Sequence, residues 1–110
     1  MRIGTFFDLR EFVPSIIWQK FGDNSIWFMD KRIFLLADFI RSRFAKPMKI
    51  NDWNSGGTFN LRGFRPPDST TGGQLSQHKF GRAIDFNIQG LTPQEIYKDT
   101  FEEEYIFDCL

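Results

Sequence analysis

The sequence predicts an α+β fold, in which N-terminal helices pack against a small, mostly antiparallel sheet. Two observations support this prediction. Apolar residues recur at helical spacing after Asp30, and they alternate with polar residues in segments 48–53 and 82–88, as in half-buried strands. A chain of 110 residues has room for one hydrophobic core, so we expect residues 1–110 to form a single domain.

A first short helix is predicted near the N-terminus by a capping-box pattern, in which Asp8 is followed three residues later by Glu11. Pro14 interrupts this helix because proline lacks an amide proton, and Ser15 can restart it. The restarted helix is expected to end at Gly22, because glycine often follows a helix C-terminus. Residues 22–25 are then predicted to form a turn.

The longest predicted helix begins at Asp30 and ends before Pro47. Its apolar residues share one face, which belongs in the core: Ile33, Leu36, Ala37, Ile40 and Phe44. A final helix is predicted from about Pro93. Thr92 supplies a capping hydroxyl there, and Glu95 completes a capping box.

The two predicted strands, 48–53 and 82–88, flank a long intervening segment. In the second strand, one face carries Ile84, Phe86 and Ile88, and the other carries Ala83, Asp85 and Asn87. A carboxylate therefore shares its face with small or polar groups. Residues 54–77 between the strands are rich in glycine, proline, hydroxyl and amide side chains, and loops of this length in compact domains are usually functional or disordered.

Charge and composition argue against several classes of function. Lysine and arginine together number 14, as do aspartate and glutamate, so no net field attracts the chain to nucleic acid or to an anionic membrane surface. Residues 1–10 carry charges where a signal peptide needs an apolar run, and no segment has the length of a membrane span. We therefore expect a protein made in the cytosol, without membrane insertion and without a nucleic-acid partner. The single cysteine, Cys109, permits no intrachain disulfide.

The only histidine, His78, precedes Asp85 by seven positions. Seven extended residues would span about 23 Å, so the chain must bend if both side chains are to bind one zinc ion at roughly 2.0–2.2 Å. Gly81 suits this bend because glycine adopts positive φ without a side-chain penalty. Ser76 could orient the imidazole or cap the turn. On spacing alone, a core histidine beside a strand that carries a solvated aspartate is the favoured interpretation.

A resemblance to a known family changes this interpretation. Residues 76–85, SQHKFGRAID, resemble the signature of the zinc D-Ala-D-Ala carboxypeptidase family, which includes vancomycin-resistance dipeptidases and many phage endolysins. Residues 62–66, RGFRP, are similar to the glycine-aromatic-arginine element that precedes the histidine in that family. Residues 9–14, LREFVP, are similar to the same region of its phage-type members. The resemblance extends from about residue 8 to residue 97.

The resemblance implies a D-Ala-D-Ala metallopeptidase-like (hedgehog/DD-peptidase-like) fold and zinc-dependent hydrolysis of peptide bonds in peptidoglycan, the expected partner. It implies that His78 and Asp85 are zinc ligands, and the supporting roles of Ser76 and Gly81 are those inferred above from the bend. It also implies that Arg65 lies in the active site, where a guanidinium suits a substrate carboxylate or a developing oxyanion. Arg62 is a competing candidate for that role. A phage lysin or virion component of this family would act on the cell wall.

One part of the family pattern is missing. In the family, a second histidine near the C-terminus, in a Trp-x-His-like element, is the third zinc ligand, and an acidic residue just upstream is the general base. No histidine follows His78, and residues 102–110, EEEYIFDCL, do not resemble that element. We therefore expect the chain to lack the C-terminal strand or strands of the family domain. Substitutes are chemically available in the last residues: Cys109 as ligand, and Asp108, Glu102, Glu103 or Glu104 as base. A non-catalytic cell-wall-binding or virion module derived from this fold is the alternative function.

Overall fold

The computed structural model describes residues 1–73 and 75–101. Within these residues the chain is an α+β domain with three α-helices and two small antiparallel sheets of two strands each, which confirms the predicted class. The elements in chain order are β1 (Arg2–Ile3), β2 (Phe7–Asp8), α1 (Ser15–Phe21), α2 (Lys31–Phe44), β3 (Met48–Lys49), β4 (Asn87–Ile88) and α3 (Pro93–Phe101).

The capping box predicted at Asp8 is formed. The Asp8 carboxylate accepts a hydrogen bond from the amide of Arg10 at 2.9 Å, and the Asp8 amide donates to the Glu11 carboxylate at 2.8 Å. The box begins a single turn of 3-10 helix, Leu9–Glu11. After Pro14, α1 begins at Ser15 as expected. The turn predicted at 22–25 is instead part of a seven-residue 3-10 helix, Gly22–Phe28.

The two longer helices begin within one residue of their predicted starts, and a side chain caps each of them. At the start of α2, the Asp30 carboxylate accepts a hydrogen bond from the Arg32 amide at 2.9 Å. Before α3, the Glu95 amide donates to the Thr92 hydroxyl at 3.2 Å, and the Thr92 amide donates to the Glu95 carboxylate at 3.1 Å. α2 ends at Phe44, and its C-cap, Ala45, has a φ of 51°. None of the helices within the described ranges has the length and apolar composition that crossing a membrane requires.

Both predicted strands are much shorter than expected. Of segments 48–53 and 82–88, only the short strands β3 and β4 pair, with Met48 opposite Ile88 and Lys49 opposite Asn87. The rest of each segment makes its backbone hydrogen bonds elsewhere: the amide of Asn51 donates to the carbonyl of Glu11 at 3.0 Å, and the amide of Asp85 donates to a carbonyl in the long loop at 2.7 Å. The predicted strands 48–53 and 82–88 are therefore wrong in extent, because other segments provide their hydrogen-bond partners.

A hairpin that the sequence pattern did not predict, β1–β2, closes the N-terminal end of the domain and pairs Arg2 with Asp8 and Ile3 with Phe7. The buried core is mainly aliphatic, with an aromatic cluster around Phe12. The Phe12 ring is fully buried and makes edge contacts with Phe7 and Phe34 at centroid distances of 5.5 and 4.9 Å. The long loop joins this core through Phe64, which is also buried. The loop segment that leads to the predicted site is therefore anchored to the core.

Candidate metal centre

His78 lies in a short 3-10 helix, Gln77–Phe80, that Ser76 caps. The Ser76 hydroxyl accepts a hydrogen bond from the amide of His78 at 3.3 Å. Of the two roles considered for Ser76, capping the turn is therefore the one its contact supports. The imidazole is oriented by another group, since its Nδ1 lies 2.9 Å from the carbonyl oxygen of Gly63.

This contact determines the tautomer of His78. A carbonyl oxygen can only accept, so Nδ1 carries the proton and donates it to Gly63. In the neutral ring Nε2 is then left with its lone pair. Metal-binding histidines usually donate their second ring N–H to a carboxylate or a backbone carbonyl in this way, which fixes the ring and raises its basicity. The His78 ring thus has the hydrogen bond expected of a metal ligand.

Gly81 ends the helix and provides the bend that the spacing of the motif requires. It has a φ of 68°, in the left-handed region that favours glycine. A Cβ atom at this position would lie 2.0 Å from the carbonyl oxygen of Phe28 and 2.7 Å from the Cα of Met29. The Gly81 carbonyl also accepts a hydrogen bond from the amide of Asp30, at the start of α2, at 3.0 Å. Both its conformation and its close packing therefore restrict this position to glycine.

Gly63 contributes a contact to the candidate site that we did not predict from the sequence. A Cβ atom there would lie 2.2 Å from the carbonyl oxygen of Phe12. The next residue, Phe64, donates its amide to that same oxygen at 2.7 Å. The loop is thus held directly against the core, with the Gly63 carbonyl in reach of the imidazole. The only sequence signal was the glycine of the RGFRP element itself.

Asp85 approaches the histidine from the segment before β4. Its amide donates to the carbonyl of Arg62 at 2.7 Å, and its Oδ2 lies 3.5 Å from Nε2 of His78. The His78 side chain is only 12% exposed, whereas that of Asp85 is 57% exposed. In the neutral tautomer both facing atoms are acceptors, so their approach is favourable only with a proton on Nε2 or with a cation between them.

The spacing of this pair fits zinc. Two ligand atoms about 2.1 Å from a tetrahedral zinc ion lie about 3.4 Å apart, and the observed separation is 3.5 Å. An imidazole nitrogen and a carboxylate oxygen are both common zinc ligands. In ligand type, in separation and in the outer hydrogen bond to Gly63, the pair therefore meets the requirements for two positions of a zinc site.

Arg65 reaches the same carboxylate. Its Nη2 lies 3.3 Å from Oδ2 of Asp85, its Nε donates to the carbonyl of Leu61 at 2.8 Å, and its backbone amide donates to the carbonyl of His78 at 3.1 Å. The side chain is 13% exposed. Arg65 thus holds the histidine loop through its main chain and places a guanidinium at the His78–Asp85 pair.

Arg62, the competing arginine, has a different environment. Its guanidinium lies over the ring of Phe59, with 4.2 Å between Cζ and the ring centroid. Burial lowers the pKa of the Arg62 guanidinium, while the charges of Asp85 and Asp52 oppose that shift. Its Nη1 is buried and makes no hydrogen bond within residues 1–73 and 75–101. Arg62 holds Asp85 through the main-chain hydrogen bond, whereas the side chain that contacts the Asp85 carboxylate is that of Arg65.

A third ligand is not present in the described part of the chain. There, no group of three or more histidine, cysteine, aspartate or glutamate side chains is arranged to hold a metal ion. The possible substitutes in the sequence lie outside the described residues: Cys109 as ligand, and Asp108, Glu102, Glu103 and Glu104 as base. The described residues thus bring together His78, Asp85 and Arg65.

Comparison of the chain with protein-family models, with curated proteins and with solved structures gives no match. The resemblance to zinc D-Ala-D-Ala carboxypeptidases therefore stays a prediction that rests on the motifs.

Proposed function

We propose that this protein is a zinc-dependent metallopeptidase of the D-Ala-D-Ala carboxypeptidase or endolysin type, with the fold of that family, and that it hydrolyses peptide bonds in peptidoglycan. The observation that carries the proposal is the 3.5 Å approach of His78 Nε2 to Asp85 Oδ2, the two ends of the motif. The orienting hydrogen bond from Nδ1 to Gly63 supports the same assignment.

A structural ion pair is the simplest competing explanation of this contact. It would need a protonated imidazole, and Arg65 already supplies a cation to the same carboxylate oxygen at 3.3 Å. The exposure of Asp85 also limits the stability that an ion pair there could contribute. An exposed carboxylate that faces the lone pair of a fixed imidazole is better suited to a metal ion than to a salt bridge that stabilises the fold.

Zinc at this pair would supply Lewis-acid polarisation of a peptide carbonyl and activation of water for its attack. The chain's own residues would position the reaction. Gly63 keeps His78 in the tautomer that leaves Nε2 available, and Gly81 holds the histidine loop in its bend. The Arg65 guanidinium, fixed through Nε, has its Nη groups at the site, where they can bind a substrate carboxylate or the charge that develops on the carbonyl oxygen. The proposal requires a third ligand and a general base from outside residues 1–73 and 75–101.

Metal analysis of the purified protein tests the first part of this proposal. After loading with zinc and dialysis, we expect about one zinc ion per chain, as catalytic zinc sites hold a single ion. His78→Ala and Asp85→Ala should each lose the bound metal. Asp23→Ala, which removes an exposed carboxylate outside the motif, is the matched control and should keep it. Equal zinc content in wild type and His78→Ala would refute the metal centre.

Digestion of purified peptidoglycan tests the second part. The zinc-loaded protein should release D-alanine or cross-link fragments that mass spectrometry identifies, and chelator or His78→Ala should abolish the release. Arg65→Lys should retain zinc but lose most of the activity, because an ammonium cannot reproduce the two-pronged contact of a guanidinium. Full activity of Arg65→Lys would remove Arg65 from the proposed mechanism.

A non-catalytic cell-wall-binding module is the second candidate function. The finding that favours it is that only two metal-binding side chains come together in the described residues. Such a module would sediment with peptidoglycan both with and without chelator and would release no fragments. Chelator-sensitive release of fragments would exclude it.

A further inference from the structure

Asn51 is a buried polar residue outside the His78–Asp85 pair. It follows β3 by two positions and is 3% exposed. Burial of an amide side chain is unfavourable unless its polar atoms find hydrogen-bond partners. The partners of Asn51 therefore indicate which parts of the chain it connects.

The Asn51 side chain joins the core to the loop that leads to the candidate metal centre. Its Nδ2 donates to the carbonyl of Val13, a fully buried residue, at 3.2 Å. Its Oδ1 accepts the main-chain amide of Arg62 at 2.9 Å. Because a carbonyl can only accept and a main-chain amide can only donate, this orientation of the side-chain amide satisfies both partners. Asn51 thus holds the main chain of Arg62 against the core.

Arg62 and Gly63 in turn hold the two candidate ligands. The Arg62 carbonyl accepts the amide of Asp85 at 2.7 Å, and the Gly63 carbonyl accepts a hydrogen bond from Nδ1 of His78 at 2.9 Å. Adjacent carbonyls therefore hold the two residues whose side chains approach to 3.5 Å. Because each ligand is bound to its own carbonyl, a displacement of Arg62 relative to Gly63 would change that separation.

The two carbonyls are attached to the core by different hydrogen bonds. On the histidine side, the amide of Phe64 donates to the carbonyl of Phe12 at 2.7 Å. On the aspartate side, the amide of Arg62 donates to Asn51 instead. The Arg62 guanidinium provides no equivalent contact through Nη1, which is buried and makes no hydrogen bond within the described ranges. Of these two attachments, the one nearer to Asp85 is therefore made by Asn51.

We propose that Asn51 is a positioning residue of the candidate site, which acts through the main chain of Arg62 to set the place of Asp85 relative to His78. Its effect on metal binding rests on the proposed function. Its effect on the main chain at Asp85 does not, because that effect follows from the chain of hydrogen bonds alone.

One variant and a matched control test this role. Asn51→Ala removes the acceptor of the Arg62 amide, whereas the carbonyl of Val13 keeps a second donor, Nε1 of Trp53 at 2.9 Å. The variant therefore leaves one main-chain group without its partner. Asn60→Ala is the control, because Asn60 lies in the same loop and its Oδ1 also accepts a main-chain amide, at the start of α1, at 2.8 Å.

Amide hydrogen exchange of the metal-free protein, followed by NMR, is the first measurement. In Asn51→Ala, the protection of the Arg62 and Asp85 amides should fall about tenfold further than that of the Phe64 amide, as expected for the loss of one hydrogen bond. A residue that only stabilises the fold would lower the protection of Phe64 at least as much. Asn60→Ala should leave the ratio of Asp85 to Phe64 protection unchanged. An unchanged ratio in Asn51→Ala would overturn the proposal.

The wild type gives a second test that does not depend on the folding of any variant. If the Asp85 amide is held through Arg62, the two amides should exchange in one opening step, and their protection should depend in the same way on low concentrations of urea. Different dependences would show that Asp85 is held independently of Asn51, and the proposal would fail.

Zinc affinity, measured by competition with a chromophoric chelator, tests the consequence for the metal centre. Asn51→Ala should weaken it about tenfold, the lower end of the effect of residues that orient metal ligands, and Asn60→Ala should leave it unchanged. Equal affinities in Asn51→Ala and the wild type would overturn the proposal. A wild type that binds no zinc would instead refute the proposed function, and the exchange measurements would still decide the role of Asn51.

Discussion

Replacing Gly81 by alanine tests the local architecture on which the candidate metal centre depends. Two independent penalties apply at this position. The residue has a φ of 68°, and a left-handed conformation destabilises a residue with a side chain by roughly 1–2 kcal/mol. The new Cβ would also lie 2.0 Å from the carbonyl oxygen of Phe28, and backbone atoms cannot move away as a side chain can. Overpacking of this kind adds roughly 1–3 kcal/mol.

Other glycines in the chain separate the two penalties. Gly90 has a φ of 80° and Gly73 lies outside the left-handed region, and an added Cβ at either would meet no heavy atom of the described residues within 4 Å. Gly90→Ala should therefore lose only the conformational part, about 1–2 kcal/mol. Gly73→Ala should be neutral or more stable by up to about 1 kcal/mol, because alanine restricts the unfolded chain. Gly81→Ala should lose roughly 2–5 kcal/mol in total.

Urea unfolding followed by tryptophan fluorescence measures all three variants on one scale. The expected order of stability is Gly73→Ala, then Gly90→Ala, then Gly81→Ala. If Gly81→Ala and Gly90→Ala lose the same stability, the close approach to Phe28 does not constrain the histidine loop, and the packing argument for Gly81 fails.

Three further predictions concern the rest of the fold. The Arg10 guanidinium lowers the pKa of Asp8 from 3.8 to about 2, so the stability that this group contributes is present above about pH 4 and lost as the pH falls toward 2. In Asp8→Asn, the urea midpoint should therefore fall less than in the wild type as the pH is lowered from about 4 toward 2. The same pH dependence in both proteins would contradict this prediction. Phe12→Ala should lose about 3–5 kcal/mol in the same assay, whereas Ile16→Ala, 61% exposed, should stay within about 0.5 kcal/mol. Ser76→Ala should lose about 1 kcal/mol through the missing cap, and no loss would show that the cap is dispensable.

Interactions between neighbours in sequence were the most predictable part of the fold. The caps at Asp8 and Thr92 form as their local patterns indicate, because donor and acceptor lie within three residues of each other. The extent of the strands was predicted wrongly because their hydrogen-bond partners are distant in sequence. The alternation after Met48 indicates a face, but it contains no information about which distant carbonyl will accept the amide of Asn51.

In the candidate site, too, local features could be predicted from the sequence, whereas contacts between distant segments could not. The positive φ of Gly81 follows from the spacing of His78 and Asp85, which demands a bend between them. The partner of the imidazole, the Gly63 carbonyl, lies fifteen residues away and belongs to the backbone, so no side-chain pattern indicates it. Which arginine would reach Asp85 was likewise a question of tertiary packing, and the contact is made by Arg65.

The hydrogen bond from Phe64 to the fully buried Phe12 has a consequence for dynamics. Gly63, which orients the His78 ring, cannot leave its position without breaking that bond and uncovering the centre of the domain. The opening free energy of this loop should therefore approach that of global unfolding, unlike that of an ordinary surface loop. Slow hydrogen exchange at the Phe64 amide would report this coupling, and a ligand that stabilises the imidazole would stabilise the whole domain.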